Sequence, residues 1–126
     1  MKTEYTLKVY PKGLGRSVYR LIEICGRESL DTLAKSILNS YRFNSSQNYE
    51  YEHNKECFGK EKARFLSIYE IDLNIPLILI VGINQEWKFV IRKQKLRLID
   101  EYVEPHIIKA RGDLFPFVFD RESGTF

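Results

Sequence analysis

Apolar and polar positions along this chain follow two periods. From Glu4 to Tyr10 they alternate, with Tyr5, Leu7 and Val9 on one side and Glu4, Thr6, Lys8 and Tyr10 on the other. That is the pattern of a half-buried strand. Pro11, Gly13 and Gly15 break it. Residues 17–25, SVYRLIEIC, are rich in β-branched and aromatic side chains and predict a second strand. The loop PKGLGR is short enough for the two to pair as a hairpin. Gly26 and Arg27 then turn the chain, and the period changes. Leu30, Leu33, Ala34, Ile37, Leu38 and Tyr41 recur at helical spacing and predict one amphipathic helix over 30–42. Ser29 is its N-cap, and Asp31 lies in the first turn, where an anion favours the helix dipole. The apolar stripe needs a partner, and the sheet is the obvious one.

Alternation returns in Asn48–His53, NYEYEH, a third strand. Residues 54–64, NKECFGKEKAR, read as a charged loop, and Phe65, Leu66, Ile68 and Tyr69 as a short helix or an extended run, with the helix favoured. Asn74 and Pro76 mark a boundary. Leu77–Ile83 is apolar on both faces and predicts a central strand. Asn84-Gln85 sits at a hairpin position, with Trp87–Lys93 as the partner strand. Trp87, Phe89 and Ile91 point one way, Lys88, Val90 and Arg92 the other. Residues 94–104 fit either an extension of that strand or a short helix. The stretch from Pro105 to Phe119 reads as an ordered apolar loop, and RESGTF as a frayed end. The expected fold is α+β: a mixed or antiparallel sheet of about five strands with one main helix packed on one face. One domain spans residues 1–126.

Composition narrows the class. Hydrophobic residues make up 44% and aromatic residues 13%, which excludes a disordered chain. At 126 residues folding buries roughly two thirds of the unfolded chain's surface, enough for a core without staples. The two cysteines form no disulfide framework: Cys25 ends an apolar run and Cys57 sits among polar residues. Two free thiols in a reducing cytosol are expected. MKTEYTLKVY has no apolar core of a signal peptide, and IPLILIVGI is shorter than the ~18 residues of a membrane span. The expected location is cytoplasmic, with no membrane partner.

Net charge is only +3, but it is unevenly placed. Residues 1–20 carry Lys2, Lys8, Lys12, Arg16 and Arg20 against Glu4 alone. Residues 86–97 carry Lys88, Arg92, Lys93, Lys95 and Arg97 against Glu86 alone. The chain from Asp100 onward is richer in acid. If the two basic segments are neighbours in the sheet, they form one positive face able to meet phosphates. Lys8, Arg20, Lys88, Arg92 and Lys95 are therefore candidate nucleic-acid-binding residues, with Tyr10, Tyr19 and Trp87 interleaved. Trp87 lies on the apolar side of its strand and fits the core as well. Arg20 also suits a buried place against a carboxylate. The apolar run LFPFVF makes Phe115 and Phe117 candidate protein-interaction residues, or part of a tail folded over the sheet.

Chemistry is sparse. His53 and Cys57 have a suggestive spacing, but with Cys25 and His106 they are the only Cys and His residues, and they are scattered. No group is placed to orient a His53–Cys57 pair. Glu50 and Glu52 share a strand face that reads as solvated. The glycines of PKGLGR precede a strand, whereas a phosphate-binding loop needs a helix N-terminus. No catalytic residue, metal or cofactor is expected.

Several of these segments are similar to the Ri-plasmid ORF-three-like family, also known as insertion-sequence passenger proteins of a TnpR type. Tyr19-Arg20 stands where that family has Trp-Arg, and Leu30-Asp31-Thr32-Leu33-Ala34 resembles its L-D-x-L-H. Tyr49-Glu50-Tyr51 resembles its H-L-Y-x-F strand. Val81–Trp87 resembles F-G-D-x-W, stretched by two residues. The match covers roughly residues 4–92. Ala34, Ile83 and Phe89 stand where the family has His or Asp, so a site built on those groups is absent or altered here. The resemblance implies a helix on an antiparallel or mixed sheet and a life on plasmids or mobile elements. The expected function is thus a non-enzymatic binding module, first a protein-interaction domain with an unknown protein partner. Nucleic-acid binding through the basic sheet face comes second and a small enzyme third. A monomer or weak homo-oligomer is expected.

Overall fold

The first hairpin forms where the alternation predicts it, with β1 at Lys2–Pro11 and β2 at Tyr19–Cys25. The computed structural model describes residues 2–44, 47–83 and 85–114. Helix α1 follows at Leu30–Ser40, its first turn capped by Ser29 Oγ, which accepts the Thr32 N–H at 3.1 Å. It ends two residues before the predicted boundary because Arg42 adopts a left-handed φ of 67° and leaves the helix. Strands β3 (Tyr49–His53) and β4 (Glu56–Gly59) form a second hairpin. Helix α2 (Lys60–Ala63) is a single turn, and a 3-10 turn spans Ile68–Glu70. The remaining strands are β5 (Leu77–Ile83), β6 (Gln85–Ile99) and β7 (His106–Arg111).

Two expectations are corrected. Among the described residues the sheet has seven strands, not about five, because two segments read as loops are edge strands. The hairpin turn before β4 uses Asn54 and Lys55 with φ of 51° and 70°. Two consecutive positive φ values are the mark of a tight I′-type turn, usually announced by a glycine that is missing here. β7 is exposed along almost its whole length, so it carries no alternation to read. The helix expected over residues 65–69 is only the 3-10 turn, and Phe65 is 85% exposed.

All neighbouring strands are antiparallel, in the order β4-β3-β5-β6-β1-β2-β7. Following the directions through β1, β6 and β5 makes β2 and β3 run the same way. A parallel pair cannot be joined by a tight turn and needs a crossover. Helix α1 is that crossover, and it lays its apolar stripe on one face of the sheet. Leu30, Leu33, Ala34, Ile37, Leu38 and Tyr41 meet Leu7, Val9, Ile22, Ile24, Leu79, Val81, Phe89 and Ile91, all buried. Three tyrosines pin helix to sheet through their hydroxyls. Tyr41 donates to Val9 O at 2.8 Å, Tyr51 to Leu30 O at 2.7 Å, and Tyr49 to the buried Asp31 carboxylate. Burial opposes the charge on Asp31, but the Tyr49 hydroxyl and the Lys35 ammonium outweigh it and hold the carboxyl below its ordinary range. No helix among the described residues is long and apolar enough to cross a membrane.

Arg20 lies on this covered face at 4% exposure, in line with Val18, Ile22 and Ile24. Its Nε donates to Ser40 O at 3.1 Å, at the C-terminal end of α1. Its Nη1 donates to Arg111 O at 3.1 Å and Gly112 O at 2.9 Å, where β7 ends. The guanidinium lies 4.3 Å from the centre of the Tyr41 ring, and Asp113 sits 3.7 Å from Nη2. A cation at a helix C-terminus, above an aromatic face and among carbonyls, is held by every neighbour it has. Gly112 completes the corner: its φ is 75°, and a Cβ there would fall 2.5 Å from Ser17 O.

Replacing Arg20 with Met is expected to lower unfolding free energy by about 3 kcal/mol, because four main-chain acceptors, Tyr19 O among them, lose their donor. Urea denaturation measures this. Arg20→Lys should recover only part of the loss, since an ammonium cannot span those carbonyls and stack on Tyr41 together.

Candidate nucleic-acid interface

The face of the sheet opposite α1 is built by the alternate residues of the same strands. The register places Lys8 beside Arg92 on one side and Leu21 on the other, with Lys109 next to Leu21. In the adjoining row Tyr10 faces Val90, and Tyr19 faces Arg111. The two basic segments of the sequence are indeed neighbours, since β1 pairs with β6 over its whole length. Four cations, Lys8, Arg92, Lys109 and Arg111, thus share two rows with two tyrosines.

Contacts within the patch are cation to ring rather than cation to acid. Lys8 Nζ lies 5.4 Å from the Tyr10 ring centre and 4.8 Å from that of Tyr19, and Lys109 Nζ lies 5.8 Å from Tyr19 on its own side. Arg92 Nε donates to the Tyr10 hydroxyl at 2.9 Å. The Tyr19 hydroxyl is held below its ordinary pKa, first by the hydrogen bond from Lys109, then by the fields of Lys109, Arg111 and Lys8 against a desolvation cost. Among the described residues no carboxylate forms an ion pair with Lys8, Arg92, Lys109 or Arg111. The β1–β2 loop closes over one end and leaves a concavity of about 530 Å³ lined by Lys8, Tyr10, Arg16, Ser17 and Arg92. Gly15 lets the loop lie against Tyr10, since a Cβ there would be 2.9 Å from the ring.

The other candidates fall around this centre. Lys95 faces Thr6 on the same side, one row beyond Lys8 and Arg92, and is exposed. Lys88 also shares the face but is half-buried and pairs with Glu86 at 3.7 Å. Arg20 is a correction: it points to the opposite face and belongs to the helix anchor, so it takes no part in the patch. The alternation Val18, Arg20, Ile22, Ile24 already carried that signal. Lys109, Arg111 and Arg16 were missed as site residues. The first two escape notice because β7 reads as a loop, although the β-branched HIIKAR after Pro105 was a usable cue. Phe115 and Phe117 lie outside the described residues.

Acidic groups sit beyond the patch on both sides. Glu50 and Glu52 share its face on β3, and Cys57 opposes Glu52. Cys57 and His53 therefore point to opposite faces and cannot act as a pair. Burial, with the Glu50 carboxylate beside it, pushes the Cys57 thiol up, away from the thiolate. At the far end, Arg97 pairs with the buried Glu4 at 2.7 Å and with Glu23 at 3.9 Å. His106 Nε2 lies 2.9 Å from Glu23 Oε1, and its Nδ1 lies 2.9 Å from Glu104 O. A carboxylate and a carbonyl both accept, so this setting favours the doubly protonated ring. The His106 pKa is accordingly raised, first by the Glu104 carbonyl and then by Glu23, against desolvation.

No family model matches the chain, and no curated protein matches it. Among solved structures, its fold is similar to that of the Protein of Unknown Function MM3350 from Methanosarcina mazei Go1. The TM-score is 0.74 at 17% identity, over 87% of this chain and 70% of that one. At that identity the likeness shows the fold alone.

The His106 contact gives a pH dependence with a defined sign. Its pKa in the folded state stands above the ordinary 6.5, so its stabilisation is full below that value and fades as pH rises through the folded-state pKa. Urea unfolding at about pH 5.5 and about pH 8.5 is expected to show a gap between the wild-type chain and His106→Gln that is larger at the lower pH. An equal gap at both would mean the ring contributes by packing alone.

Proposed function

We propose that the open face of the sheet binds single-stranded nucleic acid, without catalysis. The observation that carries this reading is the patch of Lys8, Arg92, Lys109 and Arg111 around Tyr10 and Tyr19, with no ion-paired carboxylate of its own among the described residues. Phosphates replace condensed counterions at such cations, and the released ions drive binding. Tyrosine rings on a sheet give bases a stacking surface that tolerates any sequence. The lysines lie over the rings in the free protein, so a strand would draw each ammonium to a phosphate and leave a ring face to a base. A flat face four strands wide suits an unpaired strand better than a duplex, whose grooves call for a protruding helix or ribbon.

An accessory role on a plasmid or mobile element belongs to the same proposal. It is supported by the resemblance to the Ri-plasmid ORF-three-like family, whose strand, helix, strand order agrees with β2, α1 and β3. The reading through Phe115 and Phe117 as a protein contact has no described residue to support it.

Fluorescence anisotropy with labelled single-stranded DNA and RNA, and with duplexes, tests the proposal. Four neutralised phosphates predict a log–log salt slope of about −3, at ~0.7 ions per phosphate. The double variant Lys109→Glu, Arg111→Glu is expected to bind at least about ten-fold more weakly, with stability unchanged because both residues lie on an exposed edge strand. Absence of binding at low salt would end this reading.

A further inference from the structure

β6 is twice as long as the strand beside it. β5 accompanies it only as far as the pair Leu77 and Ile91, and from Arg92 to Ile99 the outer edge of β6 has no strand partner among the described residues. The main chain of that overhang can be oriented from the ladder. Lys12 N donates to Lys88 O at 2.8 Å, and residues of an antiparallel strand alternate between turning their N–H and C=O toward one neighbour and the other. With Lys8 opposite Arg92, Thr6 opposite Lys95 and Glu4 opposite Arg97, those three residues of β6 turn to β1. Lys93, Leu96 and Leu98 turn outward. The bond from Gly26 N to Thr3 O agrees, since it sends Thr3 to β2 and leaves Glu4 for β6.

The side chains along this edge are of two kinds. A bulge between Thr6 and Leu7 resets the register, so that Leu96 and Leu98 fall on the helix side of the sheet, beyond the end of the covered core. They are 45% and 65% exposed. Leu96 faces Tyr5, and Tyr5 and the exposed Tyr69 both lie close against Gly26. Lys93, on the helix side before the bulge, and Lys95, on the open side after it, precede the two leucines and pair with no carboxylate among the described residues. Lysines on an edge ordinarily guard against unwanted pairing. Guarding alone does not place two leucines outward beside a tyrosine, and it is selective: it repels a basic or identical strand and attracts an acidic one. A second copy of this edge, added antiparallel, would bring Lys93, Lys95 and Arg97 against their own kind.

We propose that the overhang of β6 docks an extended segment of another protein by strand addition, with apolar residues alternating with carboxylates. Its main chain bonds to Leu96 and Leu98, its apolar side chains rest on Leu96 and Leu98 on the helix side, and its carboxylates, on the other side, meet Lys95. This surface is distinct from the Lys109 and Arg111 side of the sheet.

Amide hydrogen exchange by NMR on the full chain tests it, with an octapeptide alternating Glu and Val as the probe and one alternating Lys and Val as the control. In the free protein, Leu96 and Leu98 amides are expected to exchange fast and Lys95 and Arg97 amides slowly. The Glu–Val peptide should slow Leu96 and Leu98 at least about ten-fold, and the Lys–Val peptide should not. Leu98→Pro removes an N–H that β1 does not use. It should abolish the protection at Leu96 and leave Lys95 and Arg97 slow, which also reports that the fold is intact. Three results would overturn the proposal: no protection at millimolar Glu–Val peptide, equal protection by both peptides, or Leu96 and Leu98 already slow in the free protein. In that last case the edge is taken by this chain itself, or by a second copy if the protection grows with protein concentration.

Discussion

One main helix, α1, set against the seven strands of the described residues is the constraint from which the rest of this structure follows. Seven strands at ~4.8 Å spacing span about 29 Å, while an eleven-residue helix is about 16 Å long and 10 Å wide. It can cover the middle of one face and nothing of the other. The covered side is closed by packing and by fixed attachments at both helix ends, the tyrosine hydroxyls toward the start and Arg20 at the finish. The open side has to be shielded by its own side chains. Long stems do this, because Lys, Arg and Tyr lay apolar carbon along a sheet while keeping their polar tips in water. Thr6 and Val90 are buried on that side with no helix of the described residues over them. The cationic character of the face is thus partly a packing solution, and its use for binding would be added to that role.

The elements that bury something were legible in the sequence. β1, β2, α1, β3 and β5 each present one consistent apolar face, and the periods 2 and 3.6 locate them to within two or three residues. Elements that bury little were not. β4 and β7 are edge strands with most residues in solvent, so neither has a pattern that distinguishes it from a loop. β6 was legible over its first half and ambiguous from residue 94 on, because there it leaves the core and its alternation passes through a bulge.

The candidate face was half legible for the same reason. Clustering of basic residues in two stretches pointed to Lys8, Lys88, Arg92 and Lys95, and the pairing of β1 with β6 brings those stretches together. Lys109 and Arg111 come from the unread strand. Arg20 was drawn in by its charge, although its place in the alternation set it among apolar residues. A modest net charge conceals this zoning. Cations gather at the centre of the open face, Glu4 and Glu23 are engaged with Arg97 and His106 at one end, and Glu50 and Glu52 lie toward β3.

The place of β1 in the strand order bears on how the chain is made. Made before the other strands of the sheet, it is bordered on one side by β2 within the same hairpin, but its other border is β6, with Lys2 opposite Ile99. β2 likewise waits for β7, at residues 106–111. On a translating ribosome the early hairpin must therefore remain half-satisfied until residues 85–111 have been synthesised, with Leu7, Val9, Ile22 and Ile24 lacking those neighbours in the meantime. Pairings this distant in sequence make folding slow, and a bare, apolar hairpin is what nascent-chain chaperones recognise. The pairing of β1 with β6 that joins the two halves of the sheet thus closes long after its first strand is made.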